Sequence, residues 1–162
     1  MTIEQLYTEL APRLTNYLVA NGTPYHAACD LVQETFLKLW KMREDLQDDP
    51  HAVSGLAYTI ARNLRTDAAR HGKFIVYEAE LRDEDSQDPA PSPSDRAYLR
   101  QRLRDAFAQL PPLLREAYTL FQIAELPIRQ IARLTNVTES LVKVRIFRAK
   151  EKLRPLLKDL CS

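Results

Sequence analysis

Residues 126–153 read LPIRQIARLTNVTESLVKVRIFRAKEKL, a pattern of two short amphipathic helices joined by a tight turn. Pro127 suits the first turn of the first helix, where its missing N–H costs little. Asn136 stands at the turn, and asparagine tolerates a left-handed backbone better than most non-glycine residues. The hydroxyl of Thr138 can then cap the second helix. A short helix, a turn of about four residues and a second helix form the layout of a helix-turn-helix.

The second helix of this pair combines a buried seam with a basic surface. Apolar residues recur at three- and four-residue steps, which predicts one buried face. These residues are Val142, Ile146, Ala149 and Leu153. The basic residues that lie off this seam are Lys143, Arg145, Arg148, Lys150 and Lys152. A helix of this kind enters the major groove of DNA while the first helix braces it. The simpler alternative is a solvated basic face that binds nothing.

Charge is distributed very unevenly along the 162 residues. Residues 1–77 carry 8 Lys and Arg against 9 Asp and Glu, whereas residues 78–95 carry 1 against 7. Residues 96–162 carry 14 against 6, a net charge of +8 that suits a polyanionic partner. The overall net charge of +1 hides this asymmetry. The charge distribution therefore supports nucleic-acid binding by the C-terminal part of the chain.

Neither a metal site nor a catalytic group is indicated. Cys29 and Cys161 are far apart, without a CxxC pair or a histidine at metal-ligand spacing. The sequence has no nucleophile–base pair and no glycine-rich phosphate loop, so we expect neither enzyme activity nor a cofactor. The N-terminus lacks a basic region followed by an apolar core, and no apolar run approaches the ~20 residues of a membrane span. We therefore expect a cytoplasmic protein without membrane insertion.

Proline and asparagine–glycine signals divide the chain into helices. Thr23 is expected to cap the second helix, and Asp49 is expected to cap the third. The predicted helices cover about 2–20, 24–43, 50–71 and 96–109, and a fifth begins at 111–112 before the helix-turn-helix. The core face expected for the fifth helix comprises Leu113, Leu114, Ala117, Leu120 and Phe121.

The fold class follows as all-α, with two small helical domains. Residues 78–95 are acidic, rich in Pro and Ser, and too poor in large apolar groups to fold alone. They read as a linker between a domain at 1–77 and a helix-turn-helix domain at 96–162. Each of these domains is small and holds only a modest core.

Two helices of the first domain carry more than a core face. In CDLVQETFLKLW (residues 29–40), Leu31 and Leu37 widen the apolar surface beyond what one packing partner needs. The helix is either fully buried or has a second protein docked on it. The third helix carries aromatic, amide and guanidinium groups of the kind that bind unstacked bases, although a solvated face is an equal alternative. These groups belong to Tyr58, Arg62, Asn63, Arg65, Asp67 and Arg70.

Two stretches of the sequence resemble a known family. DLVQETFLKLW followed by LAYTIARNLRTDAAR resembles the first domain of bacterial RNA polymerase sigma factors of the extracytoplasmic-function (ECF) type. LPPLLREAYTLFQIAELPIRQIARLTNVTESLVKVRIFRAKEKL resembles the second domain of that family. The order of the two stretches, their spacing and the acidic linker agree as well, so the resemblance covers nearly the whole chain.

The resemblance implies a function and a set of partners. In such proteins the first domain binds the clamp helices of the β′ and β subunits of core RNA polymerase and captures the melted −10 promoter element. The second domain binds the −35 element as duplex DNA, and an anti-sigma factor commonly holds the protein inactive. The residues that fall at core-polymerase-binding positions are Asp30, Gln33, Glu34 and Leu37. Those at −10 positions are Asn63, Asp67 and Arg70, and those at −35 positions are Ser140, Lys143, Arg145 and Arg148.

The sequence departs from the family pattern at a few positions. The family usually has Trp where Leu56 stands, and often has Thr at Leu141 and Ser at Val144. The turn glycine of the family is Asn136 here, and the basic run that follows the third helix is confined to residues 70–73. These changes indicate an altered promoter preference with the fold retained.

A stand-alone helix-turn-helix regulator of duplex DNA is the main alternative function. Such a regulator would usually dimerise on a palindrome and would have no use for the docking helix or for the region around Asn63. A further alternative is a protein-interaction adaptor whose basic domain is incidental. The docking helix and the region around Asn63 favour the sigma factor over the stand-alone regulator.

Overall fold

The computed structural model describes residues 2–46, 49–72 and 96–158. Within these ranges the chain forms helices only, in agreement with the predicted all-α class. The helices are α1 (Ile3–Ala20), α2 (Tyr25–Lys41), α3 (Pro50–Arg70), α4 (Arg96–Ala108), α5 (Pro112–Gln122), α6 (Ile128–Thr135) and α7 (Glu139–Leu156). The acidic linker predicted at 78–95 lies outside the described residues.

Predicted capping and turn residues define three of the helix boundaries. Asp49 accepts a hydrogen bond from the backbone N–H of His51 at 3.1 Å and so caps α3. Thr138 caps α7 by accepting from the N–H of Leu141 at 3.1 Å. Asn136 adopts the left-handed conformation between α6 and α7, with φ 58° and ψ 48°. The sequence predictions at Asp49, Asn136 and Thr138 are therefore confirmed.

The predicted cap of α2 is wrong. Pro24 occupies the N-cap position, and no side chain caps the helix there. Thr23 is buried, and its hydroxyl accepts a hydrogen bond from Nε of Arg65 at 3.0 Å. Nη2 of Arg65 also donates to the backbone oxygen of Asn21 at 2.6 Å. Thr23 therefore ties the turn between α1 and α2 to α3 instead of capping a helix.

Helices α1, α2 and α3 pack against one another and bury the apolar faces predicted for them. Leu14 and Leu18 of α1, and Leu39 of α2, are fully buried. Leu31 of α2 is buried as well, whereas Leu37 on the same helix is 59% exposed. Helix α2 thus has a packed side and a second apolar position that faces solvent.

Helices α4 to α7 form the second unit. The buried seam predicted for α7 is confirmed at all its positions, which are Val142, Ile146, Ala149 and Leu153. In α5 the prediction holds for Ala117 and Leu120, but it is wrong for Leu113, which is 60% exposed. Leu113 lies one turn before Ala117 on the same side of α5, in the first turn of the helix. The spacing of apolar residues shows which side of a helix is buried. It does not show how far along the helix the packing partners reach.

The two units share one apolar core. Buried residues of α1 and α3 cluster with Ala117 and Leu120 of α5 and with Ile131 of α6. At the centre of this cluster the rings of Tyr17 and Tyr58 meet edge to face, with 5.5 Å between their centroids. The units therefore pack directly on each other within the described residues.

A glycine permits the closest approach between the units. A Cβ atom placed on Gly55 of α3 would lie 3.0 Å from Oε1 of Gln130 on α6. That separation is too short for an ordinary contact, so a larger residue at position 55 would displace the Gln130 side chain or the helix that carries it. Gly55 therefore leaves space for the Gln130 side chain where α6 packs near α3.

A carboxylate lies at the contact between the units, and we call the group formed by Tyr17, Arg62 and Glu116 the Glu116 seam. Glu116 of α5 accepts a hydrogen bond from Nε of Arg62 at 3.1 Å and another from the Tyr17 hydroxyl at 3.1 Å. Nη2 of Arg62 forms an ion pair with the same carboxylate at 3.1 Å. Nη1 of Arg62 also donates to the backbone oxygen of Leu134 at 3.3 Å. One arginine of α3 therefore bonds to both α5 and α6.

Burial and charge determine the protonation of the seam. Burial, followed by the negative charge of Glu116, raises the pKa of the Tyr17 phenol well above its usual value. Burial also acts to lower the pKa of the Arg62 guanidinium, but the bonded Glu116 carboxylate outweighs this effect and the pKa is raised. Tyr17 and Arg62 are therefore both hydrogen-bond donors at neutral pH.

Two further polar contacts flank the seam. Nδ2 of Asn21 donates to Oγ1 of Thr119 at 2.9 Å, and both side chains are buried. Nη1 of Arg13 lies 3.4 Å from Oε2 of Glu125, and these two side chains are largely exposed. The buried Asn21–Thr119 bond contributes more to stability than the exposed ion pair, because solvent screens the latter.

We predict that Glu116→Ala lowers the free energy of unfolding by about 2 kcal/mol, because the donors of Arg62 and Tyr17 lose a charged acceptor in a partly buried contact. Urea denaturation followed by circular dichroism measures this change. The matched control is Glu151→Ala, which removes an exposed glutamate that pairs with Arg154 at 2.8 Å. The control is expected to change stability by less than about 0.5 kcal/mol. Equal losses in the two variants would contradict a structural role for the Glu116 seam.

Candidate functional site

Helix α2 presents one polar stripe to solvent. Asp30, Gln33, Glu34 and Leu37 follow a spacing of three, one and three residues, which places them on one side of the helix. All are exposed, whereas the opposite side of α2 is buried in the first unit. The stripe is extended at its C-terminal end by Trp40, which is exposed and has the guanidinium of Arg43 4.2 Å from its ring centroid. The residues predicted to bind core polymerase thus form one continuous surface.

A pocket of about 230 Å³ opens between α2 and α3. Its floor is apolar, and its rim carries Asp30 and Glu34 from α2 together with Asp67 from α3. His26 and His71 complete the polar lining, which contains no Lys or Arg among the described residues that form it. The three carboxylates on the rim favour a negative potential at the pocket. Asp67, predicted as a −10 residue, therefore lies beside two predicted polymerase-binding residues.

Half of the polar set predicted on α3 is exposed. Asn63, Asp67 and Arg70 are spaced by four and three residues, so they lie on one side of α3, and all three face solvent. The other members of the set are used inside the protein. Tyr58 is buried, and its burial raises the pKa of the phenol. The prediction that Tyr58 belongs to a base-binding face is therefore wrong.

Arg62 and Arg65 are the remaining members of that set, and both are committed to packing. Arg62 bonds to Glu116 within the Glu116 seam, and Arg65 bonds to Thr23 across the first unit. Both guanidinium groups are engaged in hydrogen bonds within the protein, although the two side chains are only partly buried. The structure thus separates the α3 side chains into a packing side and a solvent-facing side.

Helix α7 carries the residues predicted for the −35 element. Ser140, Lys143 and Arg148 are exposed, while Arg145 is half-buried next to the seam that packs on α5 and α6. The left-handed Asn136 fixes the turn that orients α7 relative to α6. The cations of α7 therefore project from a helix whose position is set by its buried side.

The Glu116 seam and the pocket between α2 and α3 were not predicted from the sequence. A signal for the seam is present, since Glu116 lies one turn before Leu120 on the apolar side of α5. A charged residue on a core-facing side requires a partner, but the sequence does not say which arginine supplies it. The pocket depends on how α2 and α3 cross, which no local pattern specifies.

The described ranges hold neither a cluster of metal ligands nor a helix that could span a membrane. No group of three or more His, Cys, Asp or Glu side chains there is arranged to hold a metal ion. None of the helices in those ranges combines the length and the apolar character that crossing a membrane requires.

Two family models match this chain in the order that the sequence suggested. Residues 6–74 match Sigma-70 region 2, and residues 100–153 match Sigma-70, region 4. The first range contains most of α1 together with α2 and α3, and the second contains most of α4 together with α5, α6 and most of α7. The helix-turn-helix therefore lies in the region 4 match, and the polar stripe of α2 lies in the region 2 match.

Sequence similarity to known proteins extends over nearly the whole chain. The RNA polymerase sigma factor CarQ of Myxococcus xanthus is 35% identical over 163 residues, covering 97% of this chain and 90% of CarQ. The ECF RNA polymerase sigma factor SigM of Bacillus subtilis is 28% identical over 157 residues, covering 96% of this chain and 95% of SigM.

Solved structures share the fold. The sigma factor RpoE of Bartonella quintana, in complex with the anti-sigma factor NepR, superposes with a TM-score of 0.69 at 23% identity, covering 96% of each chain. CnrH, in complex with the cytosolic domain of CnrY, superposes with a TM-score of 0.66 at 23% identity, covering 97% of this chain and 88% of CnrH. The two regions, the full-length similarity and the shared fold lead to one conclusion. The chain belongs to the ECF RNA polymerase sigma factors, a non-enzymatic family that directs transcription initiation.

Proposed function

We propose that this sigma factor binds the β′ and β subunits of core RNA polymerase through α2, captures the melted −10 element with α3, and recognises the −35 element with α7. The proposal rests on one observation, which is that the exposed polar residues lie on three different helices and occupy one side of each. Each side is separate from the buried side of its own helix. We further propose that the protein acts in the cytoplasm, with domains at 1–77 and 96–162 joined by the segment 78–95.

The proposed docking surface is the exposed stripe of α2. Asp30 and Glu34 supply negative charge, Gln33 supplies an amide, and Leu37 supplies an apolar contact next to the exposed Trp40. An interface that combines an apolar centre with a charged rim suits a basic helical partner. The carboxylate rim of the pocket between α2 and α3 can receive a basic side chain of that partner.

The proposed −10 surface is the exposed side of α3. Asn63 has an amide that can both donate and accept, as reading the edge of an extruded base requires. Arg70 adds a cation that can bind a phosphate of the same strand. Asp67 lies between them and borders the pocket, so the −10 surface and the docking surface are continuous.

The proposed −35 surface is the outward side of α7. Lys143 and Arg148 can bind guanine edges or phosphates in the major groove, with Ser140 and Arg145 beside them. The surrounding residues 96–162 have a net charge of +8, which favours association with duplex DNA.

The closed arrangement of the two units cannot contact both promoter elements at once. The elements are about 25 base pairs apart, roughly 85 Å along straight B-form DNA. A compact chain of this length is only about 40 Å across. We therefore infer that the Glu116 seam opens when the protein occupies polymerase at a promoter. The chain between Gly72 and Arg96 sets an upper limit of about 80 Å on the separation of these two residues.

An anti-sigma factor is the further partner that we propose. RpoE of Bartonella quintana forms a complex with the anti-sigma factor NepR. The exposed apolar side chains of Leu37 and Trp40 offer such a partner the kind of contact that protein interfaces use at their centre. A partner on this surface would compete with core polymerase.

In vitro transcription tests the proposed function as a whole. The purified protein is combined with core polymerase from its host and a library of genomic promoters, and the start sites of the transcripts are sequenced. Discrete starts that share two upstream elements are expected. Duplex binding without any start above core polymerase alone would contradict the proposal and favour the stand-alone regulator.

We predict that Asp30→Asn and Glu34→Gln each weaken binding to core polymerase by about three- to tenfold, because an interfacial charge pair is lost without a change in shape. Fluorescence anisotropy with labelled sigma factor measures the dissociation constant. Glu9→Gln, which neutralises an exposed acid on α1, is the matched control and is expected to have no effect. Loss of helix content in the α2 variants would instead assign these residues a structural role.

We also predict that Arg148→Ala weakens binding to a −35 duplex and reduces the slope of log affinity against log salt by about one, since one phosphate or base-edge cation is removed. Titrations at several salt concentrations give the slope. Lys41→Ala removes an exposed cation from α2 and should leave the slope unchanged. A wild-type slope for Arg148→Ala would exclude this residue from the DNA contact.

A further inference from the structure

Helix α7 exposes an apolar residue at the centre of its outward side. Val144 is 41% exposed although the helix has a well-filled buried seam. At about 100° per residue, Val144 lies almost opposite the mean direction of that seam, so packing within the protein does not require an apolar side chain there. Leu141, one turn earlier and to one side, is exposed as well.

The exposed neighbours of Val144 are of two kinds. Ser140 and Arg148, four residues before and after it, lie on the same side of α7 and are exposed, and Lys143 is exposed beside it. The exposed residues three positions before and after it are apolar, namely Leu141 and Phe147.

Val144 lies in the second turn of α7, which begins at Glu139, and the first turns of a recognition helix are the ones that reach base edges. Val144 is nearest the centre of the outward side, between a hydroxyl and a guanidinium.

The chemistry of the major groove limits what such a group can contact. Valine has no hydrogen-bonding atom in its side chain, so it cannot read the donors and acceptors of guanine, cytosine or adenine. The apolar group that a base edge offers in the major groove is the C5-methyl of thymine. A duplex partner is favoured over a protein partner here, because the cations around Val144 complement phosphates.

We propose that Val144 contacts the C5-methyl group of a thymine in the −35 element and makes that promoter position selective for thymine. This proposal rests on the placement of α7 in the major groove of the −35 element. Residues one helical turn apart on one side are separated by about 6 Å along the axis, close to two base-pair steps. The thymine is therefore expected within about two base pairs of the base or phosphate bound by Arg148.

Deoxyuridine provides the test, because it differs from thymidine only by the missing methyl group. The −35 element preferred by the holoenzyme is first selected from randomised sequences, and each of its thymines on either strand is then replaced singly by deoxyuridine. Competition binding is measured for holoenzymes containing the wild type, Val144→Ala and Val144→Thr. Val144→Ala removes both γ-methyl groups and raises helix propensity, so the fold of α7 is retained. Val144→Thr keeps the shape and one methyl group.

The wild type is expected to bind about fourfold more weakly when one particular thymine is replaced, which is the effect of losing about one buried methyl. Val144→Ala should bind the thymine and deoxyuridine promoters equally, and Val144→Thr should show an intermediate ratio. Leu113→Ala, which removes an exposed apolar side chain from α5, is the control and should keep the fourfold ratio.

Four results would overturn the proposal. A preferred element without thymine, or a wild-type holoenzyme that is insensitive to every replacement, excludes a methyl contact. A fourfold ratio that persists in Val144→Ala assigns the methyl contact to another residue. An effect of Val144→Ala on an anti-sigma factor alone makes this surface a protein interface. Arg148→Ala distinguishes failure of this proposal from failure of the −35 placement on which it rests. If α7 does not bind the −35 element, Arg148→Ala will keep the wild-type affinity and salt slope.

Discussion

The hydrogen bonds that Glu116 accepts from Arg62 and Tyr17 constrain how the two units of this sigma factor are joined. A carboxylate in an apolar contact loses its hydration, and that loss must be offset by donors at the right places. Arg62 and Tyr17 reach the carboxylate from α3 and α1, at 3.1 Å in each case. Apolar burial around them is non-directional and stabilises many relative placements of α5 on α3. The bonds to Glu116 are directional, and we infer that they select one of those placements.

The hydrogen bonds to Glu116 are also placed where they can break when the two units separate. The side chain of Arg62 is 31% exposed and that of Glu116 is 13% exposed, so water reaches the edge of the contact. When the units separate, water can replace the lost bonds, and the net free energy of a partly exposed pair is therefore small. A contact of this type fits a protein whose two units are proposed to separate at a promoter.

Helix α3 connects this packing to the proposed −10 surface. Arg62 faces α5 and α6, whereas Asn63 faces solvent, because successive residues of a helix are about 100° apart. One side of α3 can therefore hold the second unit while another presents Asn63, Asp67 and Arg70. The sequence pattern grouped the polar and aromatic residues of α3 as one set. It did not separate those that bind inside the protein from those that face solvent, since that depends on which helix packs on α3.

Sequence rules that act within one helical turn predicted the helices, most of the caps and the turn. The wrong predictions arise where contacts between distant parts of the chain override those rules. Asp49, Asn136 and Thr138 act within their own turns, so their roles can be read from neighbouring residues. Thr23 satisfies the same local rule, but Arg65 from α3 binds its hydroxyl instead. Leu113 is exposed and Tyr58 is buried, contrary to the sequence predictions. The exposure of a side chain depends on which other helices pack over it, and a local pattern does not show this. The identity of the family came from two sequence stretches in a fixed order, which did not depend on these contacts.

The buried and outward sides of α7 have no residue in common. Val142, Ile146 and Ala149 hold the helix on α5 and α6, while Ser140, Val144 and Arg148 project from it. A change from a hydroxyl to an apolar group at position 144 would therefore alter the proposed base contacts of the helix without a compensating change in the core. On the proposed −35 surface, the cations would supply affinity for any duplex, since phosphates carry no sequence information. Promoter preference would then arise from the few groups that reach base edges, and Val144, at the centre of the outward side, is well placed to alter it.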